Sequence, residues 1–556
     1  MRISGSCHIV ALATCLGLAQ ADWQYRSRPD LAPPRLNVTI PATDKVNPGY
    51  VFVGPYPGFD GVRAGPEQPA AYIFANDGDL VWSSLGYFSG WIGNFQVDTY
   101  QGKKVLQAFQ GALDSFHGHG YGAPMMLDDH YRPVETVQAL NHRLISIHEF
   151  KVVNEKTALV EIYQPTAIDL TPYGGKEGES WIADGVFQEF DIETGHLIFE
   201  GHSLDWASPA DSVIPLRSGR AFTGVNASDA WDYFHINSVD KNDQGDYLVS
   251  ARHMSAIYKI NGTSGEKIWQ VGGAKSDFEL LGDLDFAYQH DARFLNQSSD
   301  GSIEIISFFD NSARSDRQRA GGVDLLHPHS RARIIEINHN DGTASEYNTF
   351  IPPDNISTWS QGNVQVLESQ NVFVNWGQSG AVTEFSPSGE VIYHAYLDSG
   401  HLAPGVQSYR GFRCEWTGHS RETPSVVAYT EDGEGTIYVS WNGDTVTKSW
   451  RFYQERLSAG RSKAQSVEIR LLGEVERKSF ETYLTVPVKD ISHDGKVEGI
   501  FVQAIDEHGE VLATSASIGI NGFKRPSGPA TAVSNDERLF KQQPDSTTSW
   551  WRSLDL

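Results

Sequence analysis

A short β-hairpin recurs along this chain, and that recurrence limits the fold more than any other feature. An alternating strand runs into an Asn-, Asp- or Ser-Gly turn, and a second alternating strand follows. Copies read 72-YIFANDGDLVWS-83, 187-FQEFDIETGHLIFE-200, 242-NDQGDYLVSA-251, 256-AIYKINGTSGEKIWQ-270, 298-SSDGSIEIISFF-309, 333-RIIEINHNDGTASEY-347 and 381-AVTEFSPSGEVIYHA-395. Less regular copies stand at 97–109, 152–163 and 366–376. Period-2 alternation gives each strand one face to bury, and stacked copies of one unit bury it against each other. Paired in order, the hairpins form four-stranded units at about 92–139, 145–200, 232–270, 288–347 and 361–397, with 70–83 opening or closing the set. Such units predict an all-β chain whose residues 66–410 form a six-bladed β-propeller. The 53 Gly and 25 Pro fit a fold dense in turns.

The pattern changes near residue 421. Short strands such as 436-TIYVSWNG-443, 466-SVEIRLL-472 and 498-EGIFVQAID-506 predict an immunoglobulin- or fibronectin-like β-sandwich over 421–522. Residues 22–65, rich in Pro, read as an N-terminal arm, and 523–556 as a polar disordered tail. At the start, Arg2, the apolar run 9-IVALATCLGLA-19 and 19-AQA-21 match a secretory signal peptide over 1–21. No segment is apolar for long enough to predict a membrane span. Five N-x-S/T sequons, at Asn37, Asn226, Asn261, Asn296 and Asn355, suit a secreted or vesicular glycoprotein. Cys7 and Cys15 leave with the signal, so Cys414 stands alone and reads as a small apolar filler. The formal net charge of −26 repels phosphate backbones and excludes nucleic acid as a natural partner.

Aligning the units brings polar residues into register. His148, His235, His290 and Gln361 precede the inner hairpin of successive units. They are expected to converge on one mouth of a central channel. Arg252, His253, Asp310, Asn311, Asn375 and Trp376 end the following strands and are expected at the same mouth, with His117 and His119 at the matching end of an earlier unit. Trp359, Trp376, Phe109 and Tyr288 are candidate walls for an apolar or aromatic small molecule. Imidazoles, a guanidinium and an amide at one mouth can donate to a developing oxyanion or move protons. No G-x-S-x-G elbow and no G-x-G-x-x-G loop is present, so neither a serine hydrolase nor a dinucleotide cofactor is expected. Carboxylates do not accompany the H-x-H pairs at 117–119 and 327–329 at ligand spacing, and no metal is expected. Asp291 and Arg293, on the opposite face of a regular strand from His290, are read as packing against neighbouring units.

The runs 233-YFHINSV-239, 249-VSARHMSAIYKI-260, 288-YQHDARFL-295, 307-SFFDN-311, 330-SRARIIEI-337 and 438-YVSWNG-443 resemble the arylsulfotransferase family, in particular its large fungal branch. The resemblance spans about 70–520 and implies a six-bladed propeller. It implies sulfate transfer between phenols without a nucleotide donor, through a sulfated histidine assisted by other histidines and an arginine. By motif, His235 and His290 match assisting histidines, Arg314 matches the arginine, and Thr383 in 380-GAVTEF-385 stands where the nucleophilic histidine would be. A threonine hydroxyl is a poor nucleophile without a dedicated base. The leading expectation is therefore a nucleophile-free enzyme of fungal secondary metabolism. It resembles the hetero-Diels–Alderases that join a tropolone quinone methide to a terpene alkene. Its expected catalytic groups are His235, Arg252, His253, His290 and Asn311, with His148, Arg314, Trp359, Gln361 and Trp376 binding substrate. An aryl sulfotransferase and a non-catalytic binding propeller are the alternatives.

Overall fold

The structure is a computed structural model. It describes residues 24–58, 65–219, 221–316, 322–398, 406–458, 466–491 and 499–519. The expected signal segment, with Cys7 and Cys15, and the tail 523–556 lie outside the described residues. The described chain is all-β, 51% strand and 5% helix.

Six sheets of four or five strands carry residues 35–414. The first orders Val406–Cys414, Tyr50–Pro57, Tyr72–Phe74 and Leu80–Ser83. The second runs Trp91–Tyr100, Lys103–Asp114, His119–Leu127 and Pro133–Thr136, and the third Phe150–Val153, Thr157–Ala167, Trp181–Asp191 and Leu197–His202. The fourth comprises Ile236–Lys241, Tyr247–Ala251, Ala256–Ile260 and Lys267–Gly272. The fifth comprises His290–Gln297, Ile303–Asp310, Arg331–Asn338 and Thr343–Phe350, with Glu279–Leu280 added in parallel. The sixth comprises Asn363–Val366, Val372–Asn375, Ala381–Phe385, Val391–Asp398 and, at its far edge, Arg35–Ile40. The hairpin units read from the sequence match these sheets closely. The expected arm 22–65 is corrected: it supplies one strand to the first sheet and one to the sixth, and the first sheet's leading strand extends to Cys414.

Neighbouring sheets touch through their leading strands, and the sixth touches the first. Val406–Cys414 is buried along nearly its whole length, as a strand covered on both faces must be. Side-chain amides cross between sheets at recurring positions. Asn94 Nδ2 donates to the carbonyls of Ile147 (3.0 Å) and His148 (3.1 Å), and Asn237 Nδ2 to that of Gln289 (2.7 Å). Asn363 Nδ2 donates to the Gly411 carbonyl (2.9 Å), and Asn375 Nδ2 to that of Ser408 (3.0 Å). Ions complete the centre. The Glu149 carboxylate accepts from Arg410 (3.0 Å) and Arg293 (2.7 Å), and Asp291 pairs with Arg293 (2.6 Å). Asp291 and Arg293 thus serve neighbouring sheets as expected, although Asp291 itself has a positive φ of 57° and the strand is not regular there.

Residues 425–514 form two further sheets. One contains Ser425–Glu431, Glu434–Ser440 and Glu481–Pro487, and the other orders Ser466–Glu476, Ser449–Ser458, Gly499–Ile505 and Val511–Thr514. They share a core of Ile437, Val439, Trp441, Trp450, Phe452, Ile500 and Val502. Asn37, Asn226, Asn296 and Asn355 are exposed and Asn261 is half-buried. Cys414 is half-buried against the core between the first and second sheets.

Candidate functional site

Where the leading strands begin, side chains from all six sheets and their loops line a cavity of about 80 Å³. His148, His235, His253, His290, Arg252, His117, Gln361, Tyr56, Tyr409 and Phe222 line it, with Leu113 and Ser115 at one side. The four residues aligned by the repeat, His148, His235, His290 and Gln361, all reach it. Backbone geometry at the site is unusual: His235 (φ 52°) and Gln361 (φ 68°) are left-handed, which costs non-glycine residues of order 1–3 kcal/mol each. Arg252 and His253 sit on a single 3₁₀ turn, Arg252–Met254, that Ser255 closes at φ 47°. That turn aims both side chains inward, and both are buried.

Hydrogen bonds fix the tautomers. His253 Nδ1–H donates to the Asp232 carbonyl (2.7 Å), so its Nε2 accepts from Arg252 Nη1 (2.9 Å). His290 Nε2 accepts from the Gln361 amide (3.2 Å), so its Nδ1–H donates to Asn311 Oδ1 (2.7 Å). Asn311 in turn donates to the carbonyls of Thr358 (3.0 Å) and Gln361 (3.1 Å). Both rings are neutral and have no nitrogen to spare. Burial, and then the Arg252 charge, push His290 down to about 3. Burial, and then neighbouring imidazole or Arg252 charge, also push His148, His235 and His253 well below the usual imidazole range.

Asp232 organises the other imidazoles. Its Oδ1 accepts the His235 amide (3.0 Å), and its Oδ2 accepts from His235 Nδ1 (2.5 Å) and His119 Nε2 (2.9 Å). Burial works to raise this carboxyl, but the surrounding imidazoles of His253 and His119 hold it below the usual carboxylate range. Donation from Nδ1 leaves the lone pair of His235 on Nε2, which has no protein partner among the described residues. His148 has the same freedom at Nε2, its Nδ1 being 3.0 Å from Ser146 Oγ. His119, Asp232 and His235 are also the buried set with atoms close enough to hold a cation.

Arg252 is the charge left over. Its guanidinium lies 4.1 Å from the Tyr288 ring centroid, and Nη2 donates to the Trp359 carbonyl (3.2 Å). Nε has no partner, and among the described residues no carboxylate pairs with the group. Next to this polar cavity is a second of about 320 Å³, lined by Pro55, Pro57, Pro69, Ala70, Trp91 and Ile92. Tyr56, Leu113 and Ser115 line both.

Several expected positions fall elsewhere. Thr383 is fully buried in the third strand of the sixth sheet, where its hydroxyl meets Trp376 Nε1 (2.8 Å) and His394 Nδ1 (2.7 Å). It is not at the cavity. Trp376 belongs to the apolar core beside Phe309, because its ring turns down to reach Thr383. Arg314 is exposed on the two-stranded ribbon Ala313–Asp316 and Gly322–Leu325. Trp359 contributes its carbonyl instead of its ring, Tyr288 lies behind Arg252, and Phe109 is core. Asp310 is buried against Arg333 (3.1 Å). Asn375 turns to the first sheet, and Asn311 supports His290 from behind. The sequence reading missed Asp232, Tyr56, Trp91 and Tyr409. The D-x-x-H spacing at 232–235 was the available signal for the first.

Residues 96–397 match the family model described as arylsulfotransferase (ASST). No curated protein matches the chain. Among solved structures, a protein of unknown function from Bacteroides caccae is 10% identical, covering 66% of this chain and 98% of its own at a TM-score of 0.35. The Dos1 propeller is 10% identical, with 88% and 97% covered and a TM-score of 0.24. A streptogramin B lyase is 9% identical, with 62% and 89% covered and a TM-score of 0.28. At such scores these likenesses carry no argument about the site.

Proposed function

The chain belongs to the arylsulfotransferase family, and on that premise we propose that it transfers a sulfuryl group between phenols without a nucleotide donor. One observation carries the reading. A buried guanidinium that no carboxylate touches directly, Asp232 acting on it only at longer range, faces a small cavity, and a buried charge without a direct counter-ion costs several kcal/mol until one completes it. An aryl sulfate supplies an anionic head for the polar cavity and a ring for the adjoining apolar one. Arg252 and the cavity's N–H donors hold the sulfuryl oxygens as charge builds on them. His235 Nε2, fixed as an acceptor by Asp232, takes the proton of the acceptor phenol. A new O–S bond forms, the donor's S–O bond breaks, and the departing phenolate leaves with the electron pair.

The test is release of 4-nitrophenol from 4-nitrophenyl sulfate in the presence of a phenol. Turnover at low ester concentration that falls in Arg252→Gln, with weaker binding of the ester, supports the reading. Neither turnover nor binding of the ester by the native chain sinks it. The hetero-Diels–Alderase reading loses its sequence argument, since Thr383 is remote from the cavity. It keeps one support: the apolar cavity adjoins neutral imidazole and guanidinium donors able to polarise a heterodiene. Conversion of a quinone methide and a terpene alkene by a chain inert to aryl sulfates would favour it.

Two further readings accompany the proposal. The six sheets are taken as blades of one closed ring, supported by the contact of the sixth with the first. Passage through the secretory pathway is supported by the accessible sequons, and a mass loss on glycosidase treatment of the natively expressed protein tests it.

A further inference from the structure

We propose that the strand Ser466–Glu476 is a self-complementary edge through which two copies of this chain pair. It is the terminal strand of its four-stranded sheet, so among the described residues no strand lies against its other side. Apolar side chains stand on its water-facing side. Val467, Ile469 and Leu471 are 57%, 58% and 52% exposed. Tyr453 and Phe501, in the same row as Leu471, stack at 5.0 Å on that outward face. Glu468 and Arg470 alternate onto the other face and are exposed as well; Arg470 donates to the Asp490 carbonyl (3.2 Å), and Gln454 opposite it is buried. A soluble sheet places polar residues outward, and a long open edge flanked by apolar side chains invites a further strand.

The sequence of this edge identifies the occupant as a second copy. An antiparallel two-fold centred on Ile469 sets Ile469 opposite Ile469 and Val467 opposite Leu471. It also sets Glu468 opposite Arg470, twice per dimer. Apolar residues meet on one face and opposite charges on the other, so the edge matches itself in pattern and in charge. The two four-stranded sheets then continue as one. All five sequons lie at or before Asn355, so this face carries none.

Analytical ultracentrifugation of the full chain tests the proposal. The native chain should sediment as a dimer, and Ile469→Asp as a monomer. Glu468→Arg and Arg470→Glu should each weaken the dimer about tenfold by facing like charges across the two-fold. The double exchange restores the pairs and should return the native dissociation constant. Circular dichroism melting of each variant separates lost association from lost folding. A native chain that stays monomeric up to its solubility limit overturns the proposal. So does a dimer indifferent to Ile469→Asp, and a double exchange that folds but does not recover association.

Discussion

At the scale of single residues, the cavity divides its histidines into two kinds. His290 and His253 have both ring nitrogens engaged, one donating and one accepting, while His235 keeps Nε2 bare because Asp232 occupies Nδ1. Glutamine presents a donor and an acceptor at similar reach, so His290→Gln should lower turnover less than tenfold, whereas His235→Gln should abolish it. Equal loss in the two would contradict this division. Asp232→Asn keeps the volume but not the charge. It should cut kcat by roughly 10⁴-fold, the loss an orienting carboxylate's removal causes in a triad, with little change in KM for the sulfate donor, because it disturbs the tautomer and not the anion contact. Arg252 has the reverse signature: Arg252→Gln should weaken aryl sulfate binding about 10- to 150-fold, the worth of a charged hydrogen bond, as read by calorimetry. Much of this site was legible in the sequence. The repeat alone aligned His148, His235, His290 and Gln361, since hairpin spacing sets where each strand enters the centre. Asp232 and Tyr56 were not legible, because they sit outside the repeated register. Trp376 shows a further limit: its backbone is where the register put it, but its side chain turns away to Thr383.

At the scale of elements, the alternating hairpins carried nearly all of the sheet order, because period-2 burial leaves little choice of pairing. What they did not reveal was the joining of distant segments. The first sheet takes its leading strand from Val406–Cys414 and the rest from residues 50–83, and Pro-rich sequence concealed the strands at 35–40 and 50–57. The same segments explain the failed placement of Thr383. A motif can be aligned to the third strand of a sheet, but the cavity is lined from the leading strands, their entry loops and the ends of the second strands. Between sheets, the crossing amides do work that apolar packing does not, by satisfying carbonyls left over where strands end. Asn237→Ala leaves the buried Gln289 carbonyl only a long contact from Ser250 Oγ (3.5 Å), and should cost about 1–3 kcal/mol in urea unfolding. The same substitution at Asn226, which is exposed and caps a short turn, should cost at most about 1 kcal/mol. Similar losses at the two positions would show that the crossing amide is dispensable.

For the whole molecule, burial at the centre opposes two sets of titrations. His148, His235, His253 and His290 are pushed down, and so remain neutral in the fold while the unfolded chain protonates them near pH 6.5. As pH falls below that value the unfolded state binds the extra protons, and each histidine removes up to about 1.4 kcal/mol of stability per pH unit. Glu161 lies in the same interior with neither oxygen hydrogen-bonded. Burial, and then the Glu149 charge, raise its carboxyl well above the usual range, and burial also lifts Asp79 and Asp98 to about 6. For these acids the fold holds a proton that the unfolded chain releases above its own carboxylate pKa, so their contribution is lost as pH rises. The two sets oppose each other over the window from about pH 4.5 to 6.5, and single variants should unmask them with opposite signs. Glu161→Gln, which is neutral at every pH, should gain stability relative to the native chain as pH rises from 4.5 toward 8. His290→Gln has no imidazole to protonate in the unfolded state. It should gain relative to the native chain as pH falls from 6.5 toward 4.5, by up to about 1.4 kcal/mol per unit. Urea midpoints across pH 4.5–8 measure both slopes. Slopes of the same sign would mean that one of the two groups is ionised in the fold, contrary to the burial that surrounds both.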